Sequence, residues 1–147
     1  MSDPVIHSHP ARAAVVALLD AASLPVADLT DAHMEHFFYC GPVHAPTGVV
    51  GLELCGRDAL LRSLAVAPAQ RGTGLGVSLT RHAEARAHAR GVHSLYLLTT
   101  TAETFFKRHG YAAADRATAP EAIRATREFA DICPASSAFL VKLLGFP

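Results

Sequence analysis

Leu60-Leu61-Arg62-Ser63-Leu64-Ala65-Val66-Ala67-Pro68-Ala69-Gln70-Arg71-Gly72-Thr73-Gly74-Leu75-Gly76 is the stretch around which the chain is organised. The apolar run reads as a buried strand, and Pro68 ends it because proline has no N–H for a sheet ladder. Three glycines then alternate with other residues, and an amphipathic helix follows, with Leu75, Leu79, Ala83 and Ala87 on one face. Glycine has no side chain to hold a ligand away, and free N–H groups at a helix start attract anions. The stretch therefore predicts strand, turn and phosphate-binding helix N-terminus. It is not a P-loop, because Val77 follows Gly76 where Lys and Ser/Thr are needed. Nor does it fit the dinucleotide fingerprint: the glycines have the wrong spacing, and the next strand ends in Thr99-Thr100-Thr101 rather than an acid.

At 147 residues, half of them apolar, the chain is expected to form one domain over residues 1–147 with a substantial core. Lys+Arg and Asp+Glu balance at 13 each, so no net charge draws it to nucleic acid or an anionic membrane. The sequence has no apolar run long enough for a membrane span. Met1 to His7 lacks the basic flank and long apolar region of a signal peptide. Cys40, Cys55 and Cys133 are odd in number and without metal-type spacing, which suits a reducing, cytoplasmic setting.

Outward from the central stretch, a short strand is expected at Val5–His9 and a helix over Ala11–Ala22, where Val15, Leu18, Leu19 and Ala22 recur at helical spacing. Asp28–Met34 reads as a loop or short helix. Glu35–Cys40 and Val49–Leu54 read as strands separated by turn chemistry, and with residues 59–66 they form an antiparallel meander. A fifth strand over Val92–Thr99 lies one helix beyond the fourth, a crossover that makes the two parallel neighbours. Ala102–His109 is a short helix. Thr118 and Glu121 resemble a capping box opening a helix to about Ile132, with Pro120 in its first turn. Ala138–Leu144 is the last strand. The result is an α/β domain with a mixed sheet flanked by helices.

Arg71-x-x-Gly74-x-Gly76, preceded by Leu64-Ala65-Val66-Ala67-Pro68, resembles the pyrophosphate loop and fourth strand of the GNAT N-acetyltransferases. Leu95 to Tyr111, with Leu-Thr-Thr, the pair Phe105-Phe106 and Gly110-Tyr111, resembles the acetyltransferase domain of bacterial N-acetylglutamate synthases. Leu61–Val66, Ile123–Phe129 and Cys133-Pro134-Ala135-Ser136 are similar to the arsenic-resistance N-acetyltransferase subgroup. The resemblance implies a sheet of six to seven strands splayed between strands four and five. It also implies acetyl-CoA as co-substrate. The amides of Gly72, Thr73, Gly74, Leu75 and Gly76, with Arg71, would cradle its pyrophosphate. The backbone of Leu64, Ala65 and Val66 would pair with its pantetheine arm and polarise the thioester. A homodimer through the last strands is expected on the same ground.

Two positions depart from that family. Phe106 stands where many members place an acid tyrosine, and about Leu60 stands where some place a glutamate base. Glu53, inside an apolar strand, reads either as the missing base or as an outward-facing surface glutamate. Arg62 either grips a substrate carboxylate or is solvent-facing or structurally paired. Ser63 is a weaker catalytic candidate on the opposite pleat face. Thr99 and Thr100 either bond substrate or cofactor, or cap the strand end. Phe105 and Phe106 pack either on the pantetheine arm or in the core. Arg124 belongs to the subgroup block and is a substrate candidate, with a solvated helix face as its alternative. The nine histidines converge with no acid or cysteine spacing, so no metal site is expected. The function expected is acetyl transfer to a small amine, amino-acid-like or an arsenical. A protein acceptor and an acyl-CoA-sensing module without turnover are the rivals. A pocket closed by the late helix would favour the small molecule.

Overall fold

The computed structural model describes residues 4–134 and 136–144, and only the main chain of Ile132. Met1–Asp3 and Ala135, which enter the readings above, lie outside the described residues. The strands are β1 (His7–Ser8), β2 (Phe37–Cys40), β3 (Gly48–Cys55), β4 (Asp58–Val66), β5 (Ser94–Thr99), β6 (Ala112–Ala113) and β7 (Ala138–Leu143). The helices are α1 (Arg12–Ala21), α2 (Leu75–Ala89), α3 (Glu103–Arg108) and α4 (Glu121–Arg124). The seven strands form one sheet in the order β1-β2-β3-β4-β5-β7-β6. β2, β3 and β4 are the expected antiparallel meander, and β4 and β5 are parallel across the α2 crossover. No helix among the described residues is long and apolar enough to cross a membrane.

Apolar spacing decides which face each helix buries. The α2 face carrying Leu75, Leu79, Ala83 and Ala87 is buried on one side of the sheet, against Phe38, Val50, Leu52 and Leu97. On the other side, Val15 and Leu19 of α1 pack with Phe37, Val49 and Ala65, while Ile123 of α4 packs with Leu60 and Phe139. The sheet is thus covered on both faces, as a parallel pairing at its centre requires.

The late segment differs from its expectation. Instead of one helix from Thr118 to Ile132 there are three short pieces: a 3₁₀ turn at Arg116–Thr118, α4, and a wide π-type turn at Glu128–Ile132. The capping box does not form. Thr118 Oγ1 donates to the Asp115 carbonyl, and Asp115 is the residue whose side chain caps, accepting from the Ala117 N–H. Pro120 lacks an N–H and stays extended at ψ 147°, so no helix passes through it. The two-residue β6 was also not expected, being too short to leave a periodic signal.

Phe37 lies over Gly51, its cross-strand partner, so closely that a Cβ there would sit 2.3 Å from the ring. Gly51→Ala is expected to destabilise the fold by about 1–3 kcal/mol through overpacking, read from the denaturation midpoint. His82 on α2 meets the Phe38 ring edge-on at 4.9 Å, and its Nε2 is buried without a partner. Burial and then Arg86 hold its pKa below the usual 6.5. The unfolded chain therefore takes up this proton more readily, and stability falls as pH drops below about 6.5. His82→Phe is expected to flatten that fall in melting temperature.

Candidate functional site

β4 pairs with β5 only from Asp58 to Leu60, against Ser94 to Tyr96. Beyond Leu60, β4 continues along β3 and β5 continues along β7, so the two central strands part. A cavity of about 520 Å³ occupies the opening. Its walls include Arg62, Ser63 and Leu64 from β4, Thr99 and Thr100 from the end of β5, and Phe106 from α3. Glu128, Cys133, Pro134 and Ser137 of the late segment form a further wall.

The parting coincides with a bulge. Val49 pairs with Ala65 but Gly51 pairs with Arg62, so Ser63 and Leu64 together oppose Val50. Ser63 has φ 60°, a left-handed conformation that a bulge accommodates. Past the bulge, alternate residues of an antiparallel strand turn their main-chain groups to the partner. The Ala67 N–H reaches the Thr47 carbonyl. By that alternation Ala65 also faces β3, while Leu64 and Val66 turn theirs to the open edge. Arg71 folds back along this edge, its Nε donating to the Val66 carbonyl at 3.4 Å.

The glycine loop lies at the end of that edge. Gly72 and Gly74 have φ of 80° and 86°, angles that only glycine adopts without strain. Six consecutive N–H groups, Gly72 to Val77, donate to no protein group among the described residues. They comprise the turn and the first, unsatisfied turn of α2. A Cβ at Gly72 or Gly74 would meet nothing within 4 Å, and one at Gly76 would only approach Phe105 and Val66 at 3.8 Å. Thr73, Gly74 and Leu75 border a second recess of about 480 Å³ rather than the cavity.

Arg62 is the charged centre of the cavity wall, its side chain 0% exposed. Both terminal nitrogens grip Asp28, with Nη2–Oδ1 at 2.8 Å. Nη1 also lies 3.1 Å from Glu53, Nη2 lies 3.2 Å from Glu128, and Nε donates to Ser63 Oγ at 3.0 Å. Burial opposes the guanidinium charge, but Asp28, Glu128 and Glu53 outweigh it and strengthen its hold on the proton. Three carboxylates share one cation unequally. Burial raises the Asp28 carboxyl, but the forked bonds from Arg62 bring it below the usual 3.8. Glu128 has a single, less aligned contact. Burial, relieved only partly by Arg62 and reinforced by Asp28 and Glu53, pushes it up to about 7.

The ligand atoms of Asp28, His33 and Glu53 lie within 4.8 Å of one another. Their bonding is that of an ion-pair network. The Thr30 N–H donates to His33 Nδ1 at 3.1 Å, which leaves the ring proton on Nε2, facing Glu53 at 3.6 Å. Asp28 is meanwhile spent on Arg62.

Of the residues singled out from sequence, Arg62, Ser63, Leu64, Thr99, Thr100 and Phe106 meet at the cavity. Arg62 is paired rather than free, so its guanidinium is closed to a substrate carboxylate. Glu53 touches Arg62 and His33 but does not line the cavity. Thr99 Oγ1 accepts the Ala102 N–H, the capping alternative, while also bordering the cavity. Phe106 is 4% exposed and meets Phe105 and Tyr111 edge-on, so its ring serves the core and the cavity wall together. Ala65 is buried towards α1, and Arg124 is exposed and away from the cavity. Glu128 was not singled out. Its only signal in the sequence is a carboxylate beside the apolar Phe129, between Thr126 and Cys133.

The family model for the acetyltransferase (GNAT) domain matches residues 33–113. Over 48 residues, 33% of this chain, the sequence is 48% identical to an amino-acid acetyltransferase of Ralstonia nicotianae, in a stretch making up 11% of that protein. N-acetylglutamate synthase from Neisseria gonorrhoeae, crystallised with coenzyme A and N-acetyl-glutamate, superposes with a TM-score of 0.84 at 20% identity. That match covers 99% of this chain and 36% of the synthase, so the chain spans about a third of that relative's length. Rv2747 from Mycobacterium tuberculosis, in complex with CoA and NLQ, superposes with a TM-score of 0.77 at 19% identity, over 97% of this chain and 100% of that one. Because the family model takes in more than half of its residues, the chain belongs to the GNAT acetyltransferase domain family.

Proposed function

We propose that the protein is an acetyl-CoA-dependent N-acetyltransferase acting on a small amine. The observation that carries this reading is the run of six unclaimed N–H groups, Gly72 to Val77, at the end of the open edge of β4. Acetyl-CoA supplies an acetyl thioester and a diphosphate by which it is anchored. The loop N–H groups and the positive end of the α2 dipole hold that diphosphate, with Arg71 beside them. Leu64 and Val66 offer main-chain groups to the amide arm. A main-chain N–H at the bulge polarises the thioester carbonyl, an oxyanion-type contact worth about 3–4 kcal/mol. The acceptor occupies the cavity between β4, β5 and the late segment.

The amine attacks the thioester directly. Cys133 is the one thiol on the cavity wall, and burial, followed by Glu128, pushes its pKa up to about 11. It therefore stays protonated near neutrality and is no nucleophile. Among the described residues no tyrosine lines the cavity: Tyr111 is spent on Glu84 and Tyr96 stacks on Phe139. The leaving thiolate takes its proton without a tyrosine, which a thiol pKa of about 8.5 permits.

The late segment walls the cavity on one side, and its volume of about 520 Å³ suits a small acceptor. An amino-acid-like acceptor is supported by the names of the relatives, and an arsenical by the subgroup resemblance. With Arg62 taken, an acceptor carboxylate would be met by a hydroxyl of the cavity wall such as that of Thr99. The three cysteines are unpaired, in keeping with a cytoplasmic setting. For a homodimer through β7, exposed Leu143 is the apolar group to be covered.

Gly76→Glu is expected to weaken acetyl-CoA binding by about 100-fold or more, since it sets a carboxylate against the diphosphate at a position without φ strain. Titration calorimetry reads this directly, and undiminished affinity in a normally melting variant would defeat the cofactor assignment. Cys133→Ser is expected to leave the turnover number essentially unchanged in a thiol-release assay. Loss of turnover in a folded Cys133→Ser protein would point instead to an acetyl-cysteine intermediate.

A further inference from the structure

Three carboxylates meet at Arg62, and only one of them is placed for a ligand. Asp28 takes both arms of the guanidinium fork. Glu53 lies on the side of His33, away from the cavity. Glu128 lines the cavity, is 4% exposed, and among the described residues has Arg62 as its only charged partner, at 3.2 Å through Oε1. A buried carboxylate with one loose contact, on the wall of a cavity, offers a partner to a polar cation.

We propose that Glu128 receives the acceptor's ammonium group and takes its proton. This rests on the acetyl-transfer reading above. An alkylammonium has a pKa of about 10 and no lone pair to attack with, so a base must relieve it of a proton first. One proton passes from the ammonium nitrogen to Glu128. The amine's lone pair then forms the C–N bond, the C–S bond breaks, and its electron pair leaves with sulfur. The second nitrogen proton goes to that thiolate, giving the thiol, and Glu128 returns its own proton to water. Every proton has a destination, and no second side-chain acid is needed.

The groups facing Glu128 set when it can act. Arg62 on β4 favours its charge, while Asp28 on the loop after α1 and Glu53 on β3 oppose it. Cys133 stays neutral beside it, and Arg116 is occupied by the Pro134 and Ser137 carbonyls. Asp20, at the end of α1, borders the cavity from the far wall. Burial with two neighbouring carboxylates brings Glu128 to about 7, so its base form is lost as pH falls through neutrality.

The test uses Glu128→Gln and Glu128→Asp, with n-butylamine, putrescine, glycine and L-glutamate as acceptor probes. Calorimetry on the protein without acetyl-CoA, in two buffers of different ionisation enthalpy, reads amine binding and the proton it displaces. The wild type should bind at least one probe, and Glu128→Gln should bind it at least tenfold more weakly with no linked proton. With acetyl-CoA, turnover by Glu128→Gln should fall by about 100-fold or more and lose the acid limb near pH 7. Glu128→Asp should keep that limb at reduced rate and serves as the probe if the glutamine variant is unstable. The melting temperatures give a second readout. Because the folded pKa of Glu128 is raised, wild type should lose stability relative to Glu128→Gln between about pH 4.5 and 7. Equal amine affinity and an unchanged acid limb in both variants would overturn the proposal, as would failure of the wild type to bind any probe. Failure of the wild type to bind acetyl-CoA would instead sink the acetyl-transfer reading.

Discussion

Four parts of the chain are fastened at the Arg62 guanidinium. Asp28 comes from the loop behind α1, Glu53 from β3, Ser63 from the bulge in Arg62's own strand, and Glu128 from the late segment. A buried arginine would be intolerable alone, and the buried Asp28 and Glu128 without it more so. Removing one partner of such a cluster costs about 3–5 kcal/mol, because the remainder is left buried and unbalanced. The cluster's value lies less in net stability than in placement. It ties the late segment, which has little regular structure of its own, to the bulged strand across the cavity. It also holds the bulge itself, through the bond from Nε to Ser63 Oγ.

The bulge explains why the cavity opens where it does. A regular β4 would present an unbroken ladder to β5. Inserting one extra residue opposite Val50 bends and twists the strand, and pairing with β5 stops at Leu60, three residues before Ser63. The edge released in this way runs without interruption to Pro68 and then to the glycine loop. One backbone irregularity thus yields an unpaired edge, a cavity and a line of main-chain donors, while the remaining pairs keep the sheet together.

The parts of this arrangement that sequence reveals are those written locally. The strand, the glycines at 72, 74 and 76, and the four-residue spacing of Leu75, Leu79, Ala83 and Ala87 lie within one short window, and period alone reads them. The parallel β4–β5 pair follows from the length of the crossover. Arg62 was visible as a cation in an apolar strand, but its partners are not, since Asp28 and Glu128 lie far from it in the chain. Whether a buried arginine is free or matched is decided by tertiary packing. Glu128 escaped for a related reason. The spacing predicts a continuous helix there, on which a carboxylate usually faces water. The break at Pro120 and the wide turn at Glu128–Ile132 turn it inward instead.

Phe106 in the usual place of tyrosine then has a physical account. Acetyl transfer from a thioester to an ammonium must dispose of two nitrogen protons and supply one to sulfur. Sulfur is the weaker base of the two, with a thiol pKa of about 8.5 against about 10 for the amine, so it needs little help in leaving. The demanding step is the first deprotonation. A carboxyl held near its usual value would be a poor acceptor for that proton, and one fully neutralised by burial would not accept it at all. Sharing Arg62 with Asp28 and Glu53 places Glu128 between these limits, and the apolar ring at position 106 packs the core and lines the cavity. In the proposed mechanism the proton chemistry is concentrated in one carboxyl of the late segment, and the main chain of β4 is left to stabilise charge on the thioester oxygen.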